Sequence, residues 1–393
     1  MRILLVNHFP LTGSGSGVYT ENIASSLINL GHEVCVIFPE NQKVDTYNFK
    51  THPVYFKYKE NIKGQLSFNF PCFTTHPRST KTFYELTKEE LRLYEDAFRN
   101  AIENEIEAFK PDVIHTGHIW LLANLASSYD IPLIITAHGT DLIGYNNTSK
   151  FHKQAINAAQ KAKYIITISK ENEKVVKETF PFTKDKTIYI PNGFNENVFY
   201  PETLNKERFL KQIGIDKNYS KIVSFAGKFT YFKGIDVLLK AAKEYQREDT
   251  ITLIAGDGEL FDEMNKLANS LELKNIKFLG NRPHNTLRKI YSLADVSLVP
   301  SRSEAFGLVV IEAMACGAPV IGTNDGGIKD IITKETGILI EPEDYHSLSN
   351  YVNKILNNEI NFNRDKIAKY TNKKYSQDNF TKKLIKVYQK TKK

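Results

Sequence analysis

Short apolar runs alternate with stretches of helical periodicity along almost the whole chain. Ile3–Val6 is typical of a buried strand, and Val18–Leu30 of a helix that ends at Gly31. Further strands are predicted at 33–38, 113–115, 133–137, 164–168 and 188–190. Because these strands are largely apolar and helical segments separate them, the pattern predicts a parallel sheet with helices on both faces.

The pattern restarts after a polar stretch at 196–220. A helix is predicted at Asp236–Tyr245, and strands at 222–226, 251–255, 276–279, 296–299, 319–322 and 338–340. Each series opens with a glycine-bearing turn between strand and helix. We therefore predict two Rossmann-like α/β domains that face each other, at 1–200 and 201–375, with a C-terminal helix at about 376–393 that packs back on the first domain.

Composition narrows the class of protein. The 393 residues are 41% apolar and 25% charged, which is ordinary for a folded chain. Three cysteines (Cys35, Cys72 and Cys316) lie too far apart for a zinc pattern or a disulfide framework. The first apolar run, Ile3–Val6, is too short for a signal peptide or a membrane span. These features predict a cytoplasmic protein.

The net charge of +7 is concentrated in the C-terminal segment. Residues 361–393 carry eleven Lys/Arg against two Asp, whereas the rest of the chain has 41 Lys/Arg and 43 Asp/Glu. One explanation of this positive charge is an amphipathic helix whose lysines are solvated. Attraction to the anionic inner face of a membrane is the alternative, and nucleic acid is not expected as a partner.

Residues 41–110 interleave aromatic side chains with lysines and arginines. One explanation of this pattern is that the aromatic residues pack in strands and in the core. A surface that binds a substrate or faces a membrane is the other explanation. No RNA-binding signature accompanies the aromatic residues.

Candidate chemistry follows from the rule that parallel sheets bind ligands at the carboxyl ends of their strands. The first strand is followed by a glycine-rich loop at 13–17, which either is a flexible turn or approaches a phosphate or sugar closely. His138 follows the apolar run 131–137, where a ligand is expected. Asp141 either contacts the same ligand or caps a helix. Lys228 and Lys233 follow the first strand of the second series, where they are either solvated or placed for a diphosphate.

The stretch 300–319 is the most informative part of the sequence. Glu304 follows the predicted strand 296–299, and Gly307 begins a helix whose first amides can receive a phosphate. Glu312 lies one to two turns into that helix among apolar residues. A carboxylate there needs hydrogen-bond donors, which sugar hydroxyls supply, unless the side chain is simply exposed.

This stretch resembles the two-glutamate signature of the family 4 retaining glycosyltransferases, which have the GT-B fold. The matching motifs are Glu-Ala-Phe-Gly at 304–307 and Glu-Ala-Met-Ala-Cys-Gly-x-Pro-Val at 312–320, joined in the family's order by 13–17, 138–141, 191–193, 227–228, 233–234, 256–258 and 324–327. The match covers nearly the whole chain. Two positions depart from the family pattern, since Ala305 stands where Gly is usual and Lys228 where Arg is commoner. Residues 15–21 and 138–145 are most similar to the branch that attaches N-acetylglucosamine to malate.

The resemblance implies a role for each matching residue. His138 contacts the transferred sugar, Glu304 binds its hydroxyls, and Glu312 binds the ribose. Lys228 and Lys233 neutralise the leaving diphosphate. The residues predicted to act in catalysis are His138, Glu304, Lys228 and Lys233. Those predicted to bind the donor are Gly15, Gly17, Asp141, Asn192, Gly227, Gly258, Arg282, Phe306, Gly307, Leu308, Val309 and Glu312.

We therefore predict a retaining glycosyltransferase that moves a hexose of glucose or N-acetylglucosamine type from a nucleotide diphosphate sugar, with UDP expected, to a hydroxyl acceptor. No metal site and no cofactor are expected, because no Asp-x-Asp motif is present and cationic side chains can replace a metal. The alternatives are a nucleotide-sugar epimerase, a sugar phosphorylase, and a nucleotide-sugar-binding protein without turnover.

Overall fold

The computed structural model describes residues 1–59 and 61–391. The chain forms two compact units. The first comprises Met1–Asn192 and the C-terminal segment from Phe380, and the second comprises Gly193–Asn379. The predicted boundary, 200/201, lies eight residues beyond the division at Asn192/Gly193.

The first unit contains an all-parallel sheet. In the described part of the chain its strands are ordered β3-β2-β1-β4-β5-β6-β7. They are β1 (Arg2–Val6), β2 (Glu33–Glu40), β3 (Lys50–Tyr55), β4 (Val113–Gly117), β5 (Leu133–Ala137), β6 (Tyr164–Thr167) and β7 (Thr187–Tyr189). Since β1 pairs with β4 in parallel, the carboxyl ends of these two strands lie side by side.

Helices cover both faces of this sheet. They are α1 (Gly15–Asn29), α2 (Lys88–Phe109), α3 (Leu121–Ala126), α4 (Thr140–Asn147), α5 (His152–Lys161) and α6 (Lys170–Thr179). Alternate residues of β1 enter different cores: Leu4 and Val6 belong to one, and Ile3 and Leu5 to the other. A strand buried on both faces reads as a continuous apolar run, which is why the sequence pattern identified it.

The second unit repeats this architecture with helices α7 (Lys206–Gln212) and α8 (Ile235–Tyr245) around its first strand. Its strands, in the order β10-β9-β8-β11-β12-β13, are also parallel. The strands are β8 (Lys221–Ala226), β9 (Thr250–Ala255), β10 (Ile276–Gly280), β11 (Val296–Val299), β12 (Val320–Thr323) and β13 (Gly337–Ile340). The remaining helices are α9 (Phe261–Ser270), α10 (His284–Leu293), α11 (Leu308–Ala315), α12 (Ile328–Ile331), α13 (Tyr345–Leu356) and α14 (Arg364–Tyr375).

The C-terminal basic segment forms α14 and a further helix, α15 (Gln377–Lys390), which meet at Ser376. Phe380, Leu384, Val387 and Tyr388 of α15 are buried in the core that also contains Ile3 and Leu5. The apolar face of α15 thus packs within the first unit. The predicted tail helix included Lys392 and Lys393, which lie outside the described residues.

The aromatic residues of region 41–110 are mostly core residues. Phe56, Phe70, Phe73 and Phe83 are buried, and they pack with Tyr94 of α2. The explanation by strands and core therefore holds for these residues. Strand β3 and helix α2 were not predicted. Strand β3 is partly exposed and contains a proline, which obscures its alternation.

None of the helices in residues 1–59 and 61–391 combines the length and apolar character needed to cross a bilayer.

Candidate active site

His138 lies at the carboxyl end of β5, where the strand turns into α4. The turn depends on Gly139, whose φ of 93° lies in the left-handed region that favours glycine. The His138 side chain is 8% exposed, and its imidazole has no hydrogen-bond partner among the described residues. Burial lowers the pKa of His138 to about 3, so the ring is neutral at physiological pH.

Asp141 joins two loops of the first unit through its buried carboxylate. Oδ1 accepts a hydrogen bond from the Gly139 amide at 2.9 Å, and Oδ2 accepts one from the Ile119 amide at 2.8 Å. Burial raises the pKa of Asp141, although these amides oppose the rise. The carboxylate holds the His138 loop against the loop after β4, so the structure gives it a structural contact beside its predicted role in donor binding.

The two glycines predicted to bind the donor in the first unit have different surroundings. A Cβ on Gly17 would lie 2.0 Å from the Pro10 carbonyl oxygen, and the Gly17 amide already donates to Ser14 Oγ. Gly17 is therefore required by packing. Gly15 has open space where a Cβ would be, so the fold itself does not require glycine there.

Asn192 is the remaining predicted residue of the first unit. Its side chain is 6% exposed, and its Oδ1 has no hydrogen-bond partner within the described chain.

In the second unit, the loop after β8 brings two lysines to the carboxyl edge of the sheet. Lys233 Nζ forms an ion pair with Glu304, which follows β11. Lys228 is exposed, and its side chain has no hydrogen-bond or ion-pair partner among residues 1–59 and 61–391. The structure thus joins two predicted catalytic residues, Lys233 and Glu304, that are 71 positions apart in sequence.

Glycines allow the loops at this edge to approach one another closely. A Cβ on Gly256 would lie 1.8 Å from the Gly227 oxygen, and one on Gly258 would lie 2.6 Å from the Phe229 oxygen. Gly234 approaches the carbonyl of Pro300 in the same way. Gly256 and the predicted donor residue Gly258 therefore allow the loop after β9 to approach the loop after β8, where the predicted donor residue Gly227 contributes its carbonyl oxygen.

Helix α11 begins after Gly307, whose φ is 104°. Glycine offers no side-chain oxygen, and no side chain caps this helix. The amides of its first turn, which include those of Leu308 and Val309, remain open to an anion. Phe306 is buried beside this turn at 3% exposure, so it supports the helix start by packing.

Glu312 lies on α11 one turn beyond the helix start. The side chain is partly buried, and its carboxylate has no hydrogen bond or ion pair with the described residues. Burial raises the pKa of Glu312 to about 7. Its charge also contributes to the raised pKa of the buried Tyr291 hydroxyl, after burial itself. An unpaired carboxylate in such a place needs donors from outside the protein.

Arg282 is exposed in the loop between β10 and α10, and no partner for its side chain is present in the described part of the chain. No group of three or more His, Cys, Asp or Glu side chains is arranged to hold a metal ion among residues 1–59 and 61–391.

Sequence reasoning missed a histidine beside His138. His118 follows β4 with φ 72°, and its ring centroid lies 4.8 Å from that of His138. Neither ring nitrogen of His118 has a hydrogen-bond partner among the described residues, and burial holds its pKa well below the usual value. A non-glycine residue in this conformation is strained, and such strain gathers at functional sites. The strand-end rule applied to β4 would have identified His118.

Two family models cover most of the chain. The model described as Glycosyltransferase Family 4 matches residues 13–198, and the model described as Glycosyl transferases group 1 matches residues 205–374. An uncharacterized glycosyltransferase of Methanocaldococcus jannaschii is 30% identical, and the alignment covers 99% of this chain and 98% of that protein. The D-inositol 3-phosphate glycosyltransferase of Corynebacterium aurimucosum is 28% identical over 91% of this chain and 88% of its own length.

Solved structures share the fold. The structure of HepE from Anabaena in complex with UDP superimposes with a TM-score of 0.76 at 17% identity, covering 99% of this chain and all of HepE. HepE has also been solved in complex with UDP-glucose. At this identity the likeness shows the fold alone.

Proposed function

Since the chain belongs to the family 4 glycosyltransferases and has the GT-B fold, we propose that it transfers a hexose from a nucleotide diphosphate sugar to a hydroxyl acceptor with retention at the anomeric carbon. The expected nucleotide is UDP, and the expected sugar is of glucose or N-acetylglucosamine type. The binding of UDP by HepE, which shares the fold, agrees with this choice.

One observation carries the proposal. The carboxyl edge of the second sheet collects the ion pair of Lys233 with Glu304, the exposed Lys228, the uncapped start of α11 and the unpaired Glu312. These groups suit the parts of a nucleotide sugar. The lysines and the helix start favour a diphosphate, and the two carboxylates accept hydrogen bonds from hydroxyl groups.

In the proposed reaction, the bond between the anomeric carbon and the diphosphate oxygen breaks while a bond to the acceptor oxygen forms on the same face of the sugar. The acceptor oxygen attacks the anomeric carbon directly, so no protein nucleophile takes part, and the acceptor proton passes to the departing phosphate. Negative charge grows on the diphosphate, where Lys228, Lys233 and the α11 amides stabilise it without a metal.

Lys233 and Glu304 neutralise each other before the donor binds. We propose that Lys233 pairs with the diphosphate when the donor binds. The Glu304 carboxylate is then free to accept hydrogen bonds from the sugar hydroxyls. Neutral His138 is assigned to the transferred sugar near the reacting carbon. Its pKa of about 3 means that it acts as a hydrogen-bonding group and not as a cation.

The first test is thermal stabilisation by a panel of nucleotide sugars, followed by product analysis with the best donor. Transfer with retained anomeric configuration supports the proposal. An epimerised nucleotide sugar, sugar 1-phosphate formed from inorganic phosphate, or binding without turnover would each replace it with one of the alternatives.

The second test separates the two carboxylates. Glu312 is assigned to the ribose, which does not change during the reaction, so Glu312→Ala should mainly raise the donor KM. Glu304→Ala and His138→Ala should mainly lower kcat, by about 100-fold or more, while UDP binding measured by calorimetry stays nearly normal. Glu178→Ala, at an exposed helical position in the first unit, is the control. Lost UDP affinity in Glu304→Ala with normal affinity in Glu312→Ala would reverse the two roles.

A further inference from the structure

A buried chain of hydrogen bonds crosses the first unit from its C-terminal helix to α1. The hydroxyl of Tyr388 on α15 lies 2.7 Å from Nδ1 of His115, and Nε2 of His115 lies 2.8 Å from Oγ1 of Thr136. Thr136 Oγ1 in turn lies 3.1 Å from the hydroxyl of Tyr19 on α1. None of the four side chains belongs to a residue that is more than 7% exposed.

His115 is the link that gives this chain a direction. Burial lowers the pKa of His115 to about 3, with a smaller contribution from His138, so its imidazole is neutral. A neutral imidazole has one N–H donor and one acceptor nitrogen. If Nδ1 of His115 carries the proton, Thr136 donates to Nε2 and Tyr19 must donate to Thr136; if Nε2 carries it, Tyr388 donates to Nδ1 and Thr136 accepts from His115. The chain is therefore a coupled unit, and the loss of one hydroxyl affects the others.

The chain ends at the ring that touches His138. The Tyr19 ring meets the His138 ring edge-on, with 4.8 Å between centroids and an interplanar angle of 86°. The Tyr19 ring also packs against Phe380 of α15, with 5.5 Å between the ring centroids. Since no described residue hydrogen-bonds the His138 imidazole, packing against neighbours such as Tyr19 and His118 decides how that ring is oriented.

We propose that Tyr388, His115, Thr136 and Tyr19 are positioning residues for His138, through which the C-terminal helix controls turnover. The hydroxyl chain fixes the Tyr19 ring, and the Tyr19 ring fixes the plane of the His138 imidazole. For its effect on turnover, this inference rests on the proposed function, because His138 is assigned there to the transferred sugar. Helix α15 thus has a part in catalysis besides closing the core of the first unit.

The test removes single hydroxyls and keeps every ring. Tyr388→Phe and Tyr19→Phe are compared with Tyr245→Phe in the full-length protein. Tyr245 is the matched control, because it is equally buried and its hydroxyl lies 3.1 Å from Thr252 Oγ1 in the second unit. Rates of UDP release from UDP-glucose and UDP-N-acetylglucosamine give kcat and KM, and thermal unfolding shows whether each variant is folded.

We expect Tyr388→Phe and Tyr19→Phe to lower kcat by roughly 3- to 10-fold, the effect of one lost hydrogen bond, with the donor KM unchanged. Tyr245→Phe should keep kcat. In a His138→Ala background, Tyr388→Phe should have no further effect on kcat, because the residue that it positions is gone. Equal kcat values in Tyr388→Phe and Tyr245→Phe, or a Tyr388→Phe loss that persists in His138→Ala, would overturn the proposal.

A readout without turnover separates this inference from the proposed function. The His138 Cε1–H signal in an NMR spectrum of histidine-labelled protein is assigned by its absence in His138→Ala. A shift of this signal in Tyr388→Phe, but not in Tyr245→Phe, supports positioning even if no nucleotide sugar is turned over. An unmoved signal rejects positioning even if the wild-type protein proves to be a transferase.

Discussion

Glu312 gives the sharpest prediction, because it implies two opposite pH dependences. As the pH rises, the raised pKa of Glu312 should make the free protein less stable, whereas the proposed ligand should bind more tightly. In the free protein, the folded state holds a proton on Glu312 up to a pH of about 7, whereas an ordinary Glu releases it near 4.5. Between these values the folded state binds the extra proton, so this group's contribution to stability falls as pH rises through the window. Glu312→Gln removes the ionisable group and keeps the shape of the side chain.

The size of the effect follows from the two pKa values. At about 1.36 kcal/mol per pH unit, the difference is worth at most roughly 3 kcal/mol, and partial exposure of the side chain reduces this to about 1–3 kcal/mol. We expect Glu312→Gln to be more stable than the wild-type protein by this amount at pH 8. The two proteins should converge as the pH falls toward 4.5.

Urea unfolding of both proteins between pH 4.5 and 8.5 measures the difference. Glu105→Gln is the contrasting control. Burial tends to raise the pKa of Glu105, but hydrogen bonds from Lys50 and His52 lower it overall, so removal of this carboxylate should destabilise the fold at neutral pH. If the stability of Glu312→Gln follows the same pH profile as that of the wild-type protein, the pKa of Glu312 is not raised in the free protein.

Donor binding completes the test of Glu312. Ribose hydroxyls would donate to the ionised carboxylate, so wild-type affinity for UDP-glucose should rise with pH up to about 7, by at most about tenfold per unit. The affinity of Glu312→Gln should be nearly independent of pH. Affinities that change in parallel in the two proteins would place the ribose elsewhere.

Three further predictions concern other parts of the chain. Gly15→Ala should leave the melting temperature unchanged and weaken turnover, whereas Gly17→Ala should destabilise the fold through contact with the Pro10 carbonyl; thermal unfolding beside initial rates checks both. Transfer should survive EDTA, because Lys228 and Lys233 are proposed to neutralise the leaving group; activity that EDTA abolishes and magnesium restores contradicts this. A chain that ends at Asn379 should lose stability, because it lacks the buried face of α15; if it stays stable but no longer sediments with anionic liposomes, membrane attraction is the correct explanation of the basic tail.

The approximate places of the strands could be read from the sequence, since parallel strands buried on both faces leave uninterrupted apolar runs. Leu133–Ala137 and Val296–Val299 were predicted with the observed ends. Strand β3 was missed because it is partly exposed and has no such run. The fold class followed from the alternation of strands and helices, and the family followed from the motifs around Glu304 and Glu312.

Tertiary structure decided which residues meet. The pairing of Lys233 with Glu304 depends on the adjacency of β8 and β11, which no local pattern encodes. His115, Thr136 and Tyr388 carry no motif, because their hydrogen bonds join residues up to 273 positions apart. The sequence alone could place His138 at a strand end, since periodicity and turn chemistry are local. Its neutral, unpaired state depends on burial by Tyr19 and His118, and burial arises only when distant segments pack together.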